Sequence, residues 1–264
     1  MKKRMIRLLG LFVLLFGAVA FTFAQTADER LKKGDEYYGQ LNDEKALEEY
    51  LAAAAADPNN FEAAWKACRS LIDVGDLVDV KVKGNDDKQK KYYKDAETYA
   101  RKAVALNADS TWSHFYLSAA LGKYALLLGK KDQIAMSKEV KTAIDKAIEL
   151  DPNNDLAYHA LGRWQRRMAE IGGASRLLGG LLFGSIPKGS FDESAKALNK
   201  AVELKPDYIN HHLELGRTYM ALKKYDLAAQ EFEKCDGLAI ALTKDNGYKE
   251  EAKLGLAAAK KKLK

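Results

Sequence analysis

Two stretches of this 264-residue chain repeat one another's spacing. From Gly34 it reads GDEYYGQLNDEKALEEYLAAAAADP, and from Gly216 it reads GRTYMALKKYDLAAQEFEKC. Gly34 falls on Gly216, Tyr37 on Tyr219, Ala46 on Ala228, Tyr50 on Phe232 and Ala53 on Cys235. Agreement at fixed offsets in helix-like surroundings means that one supersecondary unit is used more than once. The unit itself can be read from the residue types. Two antiparallel helices joined by a tight turn approach closely only where small residues sit at their crossing, and an aromatic residue fills the groove that remains.

These offsets resemble those of the tetratricopeptide repeat (TPR), a 34-residue helical hairpin. The scarcity of proline, four in the whole chain, agrees with a helical reading. LEEYLAAAAADPNN, YARKAVALNADS, IDKAIELDPNN and LNKAVELKPDY each end a helix on a polar stop, so Pro58, Ala108, Pro152 and Pro206 mark the ends of repeats one to four. A fifth repeat spans about 209–240, and KDNGYKEEAKLGLAAAKKKLK follows as a capping helix with a polar outer face. The expectation is an all-α, TPR-like α-solenoid of about five hairpins. The closing marks lie 50, 44 and 54 residues apart, not 34, so repeats two to four each carry an insertion inside the hairpin. The insertions include VDVKVKGNDDKQKKYY, KYALLLGKKDQIAM and, in repeat four, GGASRLLGGLLFGSIPKGSF at 172–191.

The first 24 residues read separately. Lys2, Lys3, Arg4 and Arg7 precede an apolar run from Leu8 to Phe21 and a small-residue exit at Ala24, the pattern of a signal peptide. The run is short for a bilayer span and no Cys follows it to carry a lipid. Export, to a bacterial periplasm, is the expectation, with an uncleaved anchor through residues 5–24 as the alternative. The repeat domain is then 25–264. Without the segment's four basic residues the formal charge falls from +6 to about +2, which gives little support to nucleic-acid binding.

Several chemistries fail on spacing. Lys188 precedes Gly189 where a phosphate loop needs G-x-x-x-x-G-K-[ST] after a strand, and no strand–helix–strand context exists for a dinucleotide glycine motif. His114, His159, His211 and His212 make no i, i+4 pair with a third ligand, so no metal site is expected. Cys68 and Cys235 occupy small-residue seats three repeats apart and read as buried thiols. No nucleophile–base set can be argued, and neither an enzyme nor a cofactor is expected.

In a TPR, the first helix of each hairpin lines the inner groove through repeat positions 2, 5, 9 and 12. In this chain those positions hold Tyr38; Trp65, Arg69 and Ile72; Trp112 and Phe115; His159, Arg163 and Arg166; and Leu213, Arg217 and Met220. One reading has the aromatics packing the core and the arginines extended along a solvated face. The other is a groove whose apolar walls take acyl chains or peptide side chains while arginine forks meet a phosphate or carboxylate. The leucines of 172–191 (Leu177, Leu178, Leu181, Leu182) with Phe183 read as a lid or plug, too glycine-rich for a steady helix. The partners expected are a lipid or a protein or peptide ligand, with peripheral membrane contact, the protein acting as a binding protein or as a scaffold for envelope complexes.

YHALGRWQRRMAEI, then LLFGSIPKGSFDESAKALNKAVELKPDY, resembles the regulator of microtubule dynamics family, through Leu161-Gly162-Arg163-Trp164, Leu182-Phe183-Gly184, Ile186-Pro187 and the helix ending before Pro206. The resemblance covers 155–235 well and the earlier repeats in outline. It implies a membrane-associated repeat protein with a lipid-accommodating groove and no catalytic residues. A cleaved signal would place this chain away from any cytoskeleton, so no microtubule role is carried over.

Overall fold

A computed structural model describes residues 25–264; the signal-peptide or anchor segment lies outside them. Twelve helices and no strand make up the described chain. The hairpins are α1 (Ala27–Gly39) with α2 (Asp43–Ala56), α3 (Phe61–Asp76) with α4 (Asn85–Leu106), α5 (Thr111–Ala125) with α6 (Lys130–Leu150), α7 (Asp155–Glu170) with α9 (Phe191–Leu204), and α10 (Ile209–Ala221) with α11 (Tyr225–Gly237). Between α7 and α9 lies the short helix α8 (Gly173–Phe183), and α12 (Asp245–Leu263) ends the chain against α10 and α11.

Register is set from the carboxyl end of each second helix. Asp57, Asn107, Asp151 and Lys205 end α2, α4, α6 and α9, each donating its N–H to the carbonyl of a fully buried alanine four residues back, Ala53, Ala103, Ala147 or Ala201. Three residues before these alanines come Tyr50, Ala100, Ile144 and Leu198, and seven before come Ala46, Ala96, Val140 and Ser194, every one buried. Added residues therefore accumulate at the other end. In the second and third hairpins they lengthen the second helix to 22 and 21 residues, against 14 for α2.

The close approach that the repeat demands is present. A methyl group on Gly34 would come within 2.5 Å of the Tyr50 ring, and one on Gly216 within 2.6 Å of Phe232. Both short hairpins turn on a residue in the left-handed region at the same offset, Leu41 with φ 58° and Lys223 with φ 60°. Stops and starts are local: Asn60 and Asn154 cap α3 and α7 by accepting from Ala63 and Ala157 N–H, and Thr26 and Glu29 form a capping box on α1.

The fourth insertion differs from its expectation. Despite its glycines, 173–183 is helical, because Arg176 ties it to the neighbouring backbone: its guanidinium donates to the carbonyls of Met168 and Ile171 at the end of α7 and of Ile186 and Pro187 in the loop that follows. Ile186 is buried against Gly179, where there is no side chain in the way.

The solenoid curls until its ends touch. Thr243, in the α11–α12 loop, donates its hydroxyl to the Leu41 carbonyl 202 residues away. Beside it Lys244 reaches α3, placing its ammonium 2.9 Å from both Asp73 and Asp76. Asp76 also accepts from Lys123 of α5 and from the Tyr93 hydroxyl of α4. Burial alone would raise the Asp76 carboxyl, but Lys244 and Lys123 outweigh it and hold the group down at about 2. Burial works against the Lys244 ammonium, and the two aspartates override it and push its pKa well up. Removing one partner of such a buried cluster leaves charge uncompensated, at a typical cost of about 3 kcal/mol or more. Lys244→Met is therefore expected to lower unfolding stability in urea by about 3 kcal/mol and to speed hydrogen exchange in the first turn of α12, while Lys253→Met, an exposed pair, leaves both unchanged within about 0.5 kcal/mol.

Candidate ligand-binding cavity

Closure of the ring walls a cavity of about 1100 Å³ on the inner face. Its residues come from both ends of the chain, from Tyr38 of α1 to Tyr248 of α12. One wall is aromatic. Trp65 stacks on Trp112 at 5.7 Å between centroids and on Tyr116 at 5.5 Å, while Phe115 meets Tyr116 edge-on at 4.8 Å. The repeat frame produces this wall: α3 and α5 are neighbouring first helices, so their inner positions face one another. The Arg69 guanidinium lies over the Tyr38 ring at 3.6 Å and donates to the Tyr50 hydroxyl at 2.9 Å, which holds it in the wall.

The sequence-derived groove residues divide. Trp65, Arg69, Trp112, Phe115, His159 and Arg163 line the cavity, together with Tyr38 and Ile72. Leu213 does not. It is 1% exposed and belongs to the apolar cluster that α10 forms with α11 and α12, because the terminal helix lies on the side of α10 that an open solenoid would leave free. Met220 packs against that same cluster. Arg166 and Arg217 line a separate hollow of about 200 Å³ and both pair with Glu214, which also meets Arg163 at 3.6 Å. Arg217 reaches Glu251 of α12 as well. Burial would raise the Glu214 carboxyl, but the three arginines prevail and hold it below the usual carboxylate range. These arginines bind a carboxylate of the fold itself, which the spacing of α7 and α10 residues could not disclose.

Of the lid residues, Leu182 borders the cavity and Leu177, Leu178 and Leu181 do not. All four leucines are 61–77% exposed, so they neither plug the cavity nor fold over the hairpins. Phe183 ends α8.

Several cavity residues carried no signal in the repeat frame. Lys123 and Arg167 lie outside the inner positions, and Lys244 and Tyr248 enter through ring closure. Arg69, Lys123, Lys130, Arg163, Arg167, Lys205 and Lys244 bring positive charge to the lining, against Asp73, Asp76, Asp155 and Glu170. Among the described residues no group of His, Cys, Asp and Glu is placed to hold a metal ion, and Cys68 and Cys235 are buried free thiols. Burial raises the Cys235 thiol to about 12.

His159 belongs to a buried chain of polar groups. Its Nδ1 lies 3.0 Å from Nδ1 of His211, whose Nε2 lies 2.9 Å from Asp155. The carboxylate accepts, so His211 carries its proton on Nε2 and accepts at Nδ1, and His159 must donate from Nδ1. Both rings are neutral in this arrangement.

The family model for regulator of microtubule dynamics protein 1-3 matches residues 30–260. The chain belongs to this family. It is 26% identical over 226 residues to regulator of microtubule dynamics protein 1 of Mus musculus, covering 85% of this chain and 72% of that one. With the protein of the same name in Bos taurus the match is 28% over 204 residues, 76% of this chain and 62% of the relative. The Caenorhabditis elegans protein is 21% identical over 225 residues, 85% of this chain and 97% of its own length. Against the rat and human proteins the chain spans about half of the relative, 52%. Among solved structures, a thermophilic TPR protein of Thermus thermophilus, TTC0263, superimposes with a TM-score of 0.61 at 16% identity over 88% of this chain and 99% of that one. That likeness establishes the TPR fold. The family motif around Arg163 and Trp164 therefore lies on α7: Arg163 faces the cavity, and Trp164 is anchored by donating its indole N–H to the Ser137 carbonyl at 2.9 Å.

The histidine chain gives a pH prediction. Burial comes first in lowering both pKa values, and neighbouring His211, Arg163, Arg166 and Lys123 add to it for His159. The unfolded chain takes up protons near the ordinary histidine pKa of about 6.5, and the fold resists them. Stability is thus complete above that pH and falls as pH drops below it. The urea midpoint should decline between about pH 7.5 and pH 5.5, where carboxylates stay ionised, and His159→Gln should flatten that decline.

Proposed function

We propose that the protein is a non-enzymatic interaction protein that works by holding a partner against the inner face of its helical ring. Family membership and the TPR fold support the coarse form of this reading, a scaffold that presents a binding surface. The cavity supports a finer one. A continuous aromatic wall built from Trp65, Trp112, Phe115 and Tyr116 is the observation that carries it. Burying apolar ligand surface against such a wall contributes roughly 25 cal/mol per Å² before the costs of association.

The occupant that fits is amphipathic and anionic: an apolar portion against the aromatic wall and a phosphate or carboxylate met by the Arg163 fork. Arg163 suits this role better than Arg166 or Arg217, because it borders both the cavity and the Glu214 cluster and makes only a long contact with that carboxylate. A phospholipid has this chemistry. So does an acidic, aromatic-rich segment of a partner protein, the scaffold reading, and the fold and the relatives favour that occupant. The basic start and apolar run before Ala24 support an exported location for either.

One set of measurements separates them. Under the lipid reading, purified protein releases phospholipid in native mass spectrometry, and delipidated protein takes up fluorescent phosphatidic acid with an affinity reduced at least tenfold by Trp112→Ala or Arg163→Glu. No lipid in either measurement sinks that reading. Crosslinking in cells that captures one defined partner, lost in the Trp112→Ala, Arg163→Glu double variant, supports the scaffold.

A further inference from the structure

We infer that the outer face of α8 is a membrane-docking surface that settles the mouth of the cavity onto an anionic lipid bilayer. The first observation is geometric. Leu177, Leu178, Leu181 and Leu182 fall at helical spacing on one face of an 11-residue helix, and they are 68%, 61%, 77% and 72% exposed. Exposed leucines occurring singly are ordinary, whereas four on a single turn-and-a-half of surface mark an interaction site.

The second observation is that the fold holds them outward. Arg176 spends its guanidinium on four backbone carbonyls from α7 and the 184–190 loop, and Gly179 turns its bare backbone toward buried Ile186. The apolar face cannot collapse inward without breaking those bonds. Beside it the α5–α6 turn adds Leu126, 39% exposed, which borders the same cavity mouth as Leu182.

Charge names the occupant. The segment 172–191 holds Arg176 and Lys188 and no acidic residue. Lys188 is exposed, as are Lys130 and Lys131 at the start of α6, whose Ile134 lies next to Gly179. Asp132, Glu170, Asp192 and Glu193 are exposed acidic residues at its margins, none of them on α8 or in the loop that follows it. Leucine tips with lysines beside them match an acyl region under anionic headgroups, which attract basic side chains near the surface. A protein partner would demand shape complementarity over roughly 1,000 Å² or more, and a smooth leucine face on so short a helix offers neither pockets nor hydrogen-bonding groups for it. Because Leu182 and Gly179 also line the cavity, docking would bring their side of the cavity to the bilayer surface. The inference stands apart from the identity of the cavity's occupant.

The test uses residues 25–264 and vesicles of phosphatidylcholine with an equal part of phosphatidylglycerol, read by co-sedimentation. Binding of such a face rests on the apolar area it buries, so Leu178→Ser with Leu181→Ser should weaken vesicle binding by at least tenfold. Both side chains are exposed, so circular dichroism and thermal melting should be unchanged. Lys130→Glu with Lys131→Glu should weaken binding and reduce its dependence on salt. Failure of the unsubstituted protein to bind these vesicles, or equal binding by the leucine variant, overturns the inference. So does a concentration-dependent dimer that the leucine substitutions dissolve, since the face would then join two copies of this chain.

Discussion

The ion cluster of Lys244, Asp73, Asp76 and Lys123 is the contact on which the rest of the molecule depends. A solenoid of hairpins is held together by nearest-neighbour packing, and nothing in that packing requires its two ends to meet. Here they meet through charges taken out of water. Such a cluster is favourable only when opposite charges balance and the remaining lone pairs are satisfied. Two lysines face two aspartates, and the Tyr93 hydroxyl donates to Asp76 at 2.6 Å. Closure makes a cavity out of an open groove, and it gives α12 a function beyond capping. Packing of α12 against α10 and α11 is what takes Leu213 off the inner surface.

What the sequence disclosed and what it hid follow from the range of the interactions. The hairpins were legible because their determinants lie within a few dozen residues: the small seat at Gly34 and Gly216, the aromatic that fills it, and the stop after a buried alanine. The insertions were legible as lengths, since register is kept at the end of each second helix and slack must appear at its start. The aromatic wall followed from the same frame, which puts Trp65 and Trp112 on adjacent first helices. Ring closure was not legible, because Lys244 finds Asp76 168 residues away and no periodicity connects them. The helical state of α8 was hidden for a related reason. Its glycines weaken intrinsic propensity, and the compensation comes from Arg176 bonds that exist only once α7 is in place.

The junction between the fourth and fifth hairpins shows why residue type alone put Arg166 and Arg217 in one groove with Arg69 and Arg163. Beside the apolar cluster of Leu198 and Leu215, this junction carries a set of polar contacts: Ser194 against Thr218 at 3.0 Å, His159 against His211, and Glu214 among three arginines. Polar contacts are more directional than methyl packing, so a junction made of them fixes the angle between hairpins, and that angle decides whether the ring can close. The arginines of α7 and α10 thus serve first to orient the fifth hairpin, and through it α12 and Lys244.

That division of labour bears on what the cavity can recognise. Most of its charged lining is committed to partners within the fold, and committed pairs lend little net field to a ligand. Discrimination must then come mainly from the aromatic wall, with Arg163 supplying direction at one end. A wall of stacked indoles fixed by Arg69 is preorganised, which lowers the ordering cost of binding without fixing the sequence or headgroup of what is bound. Under the membrane-docking proposal, selectivity would reside in where the leucine face of α8 and the lysines beside it deliver the cavity.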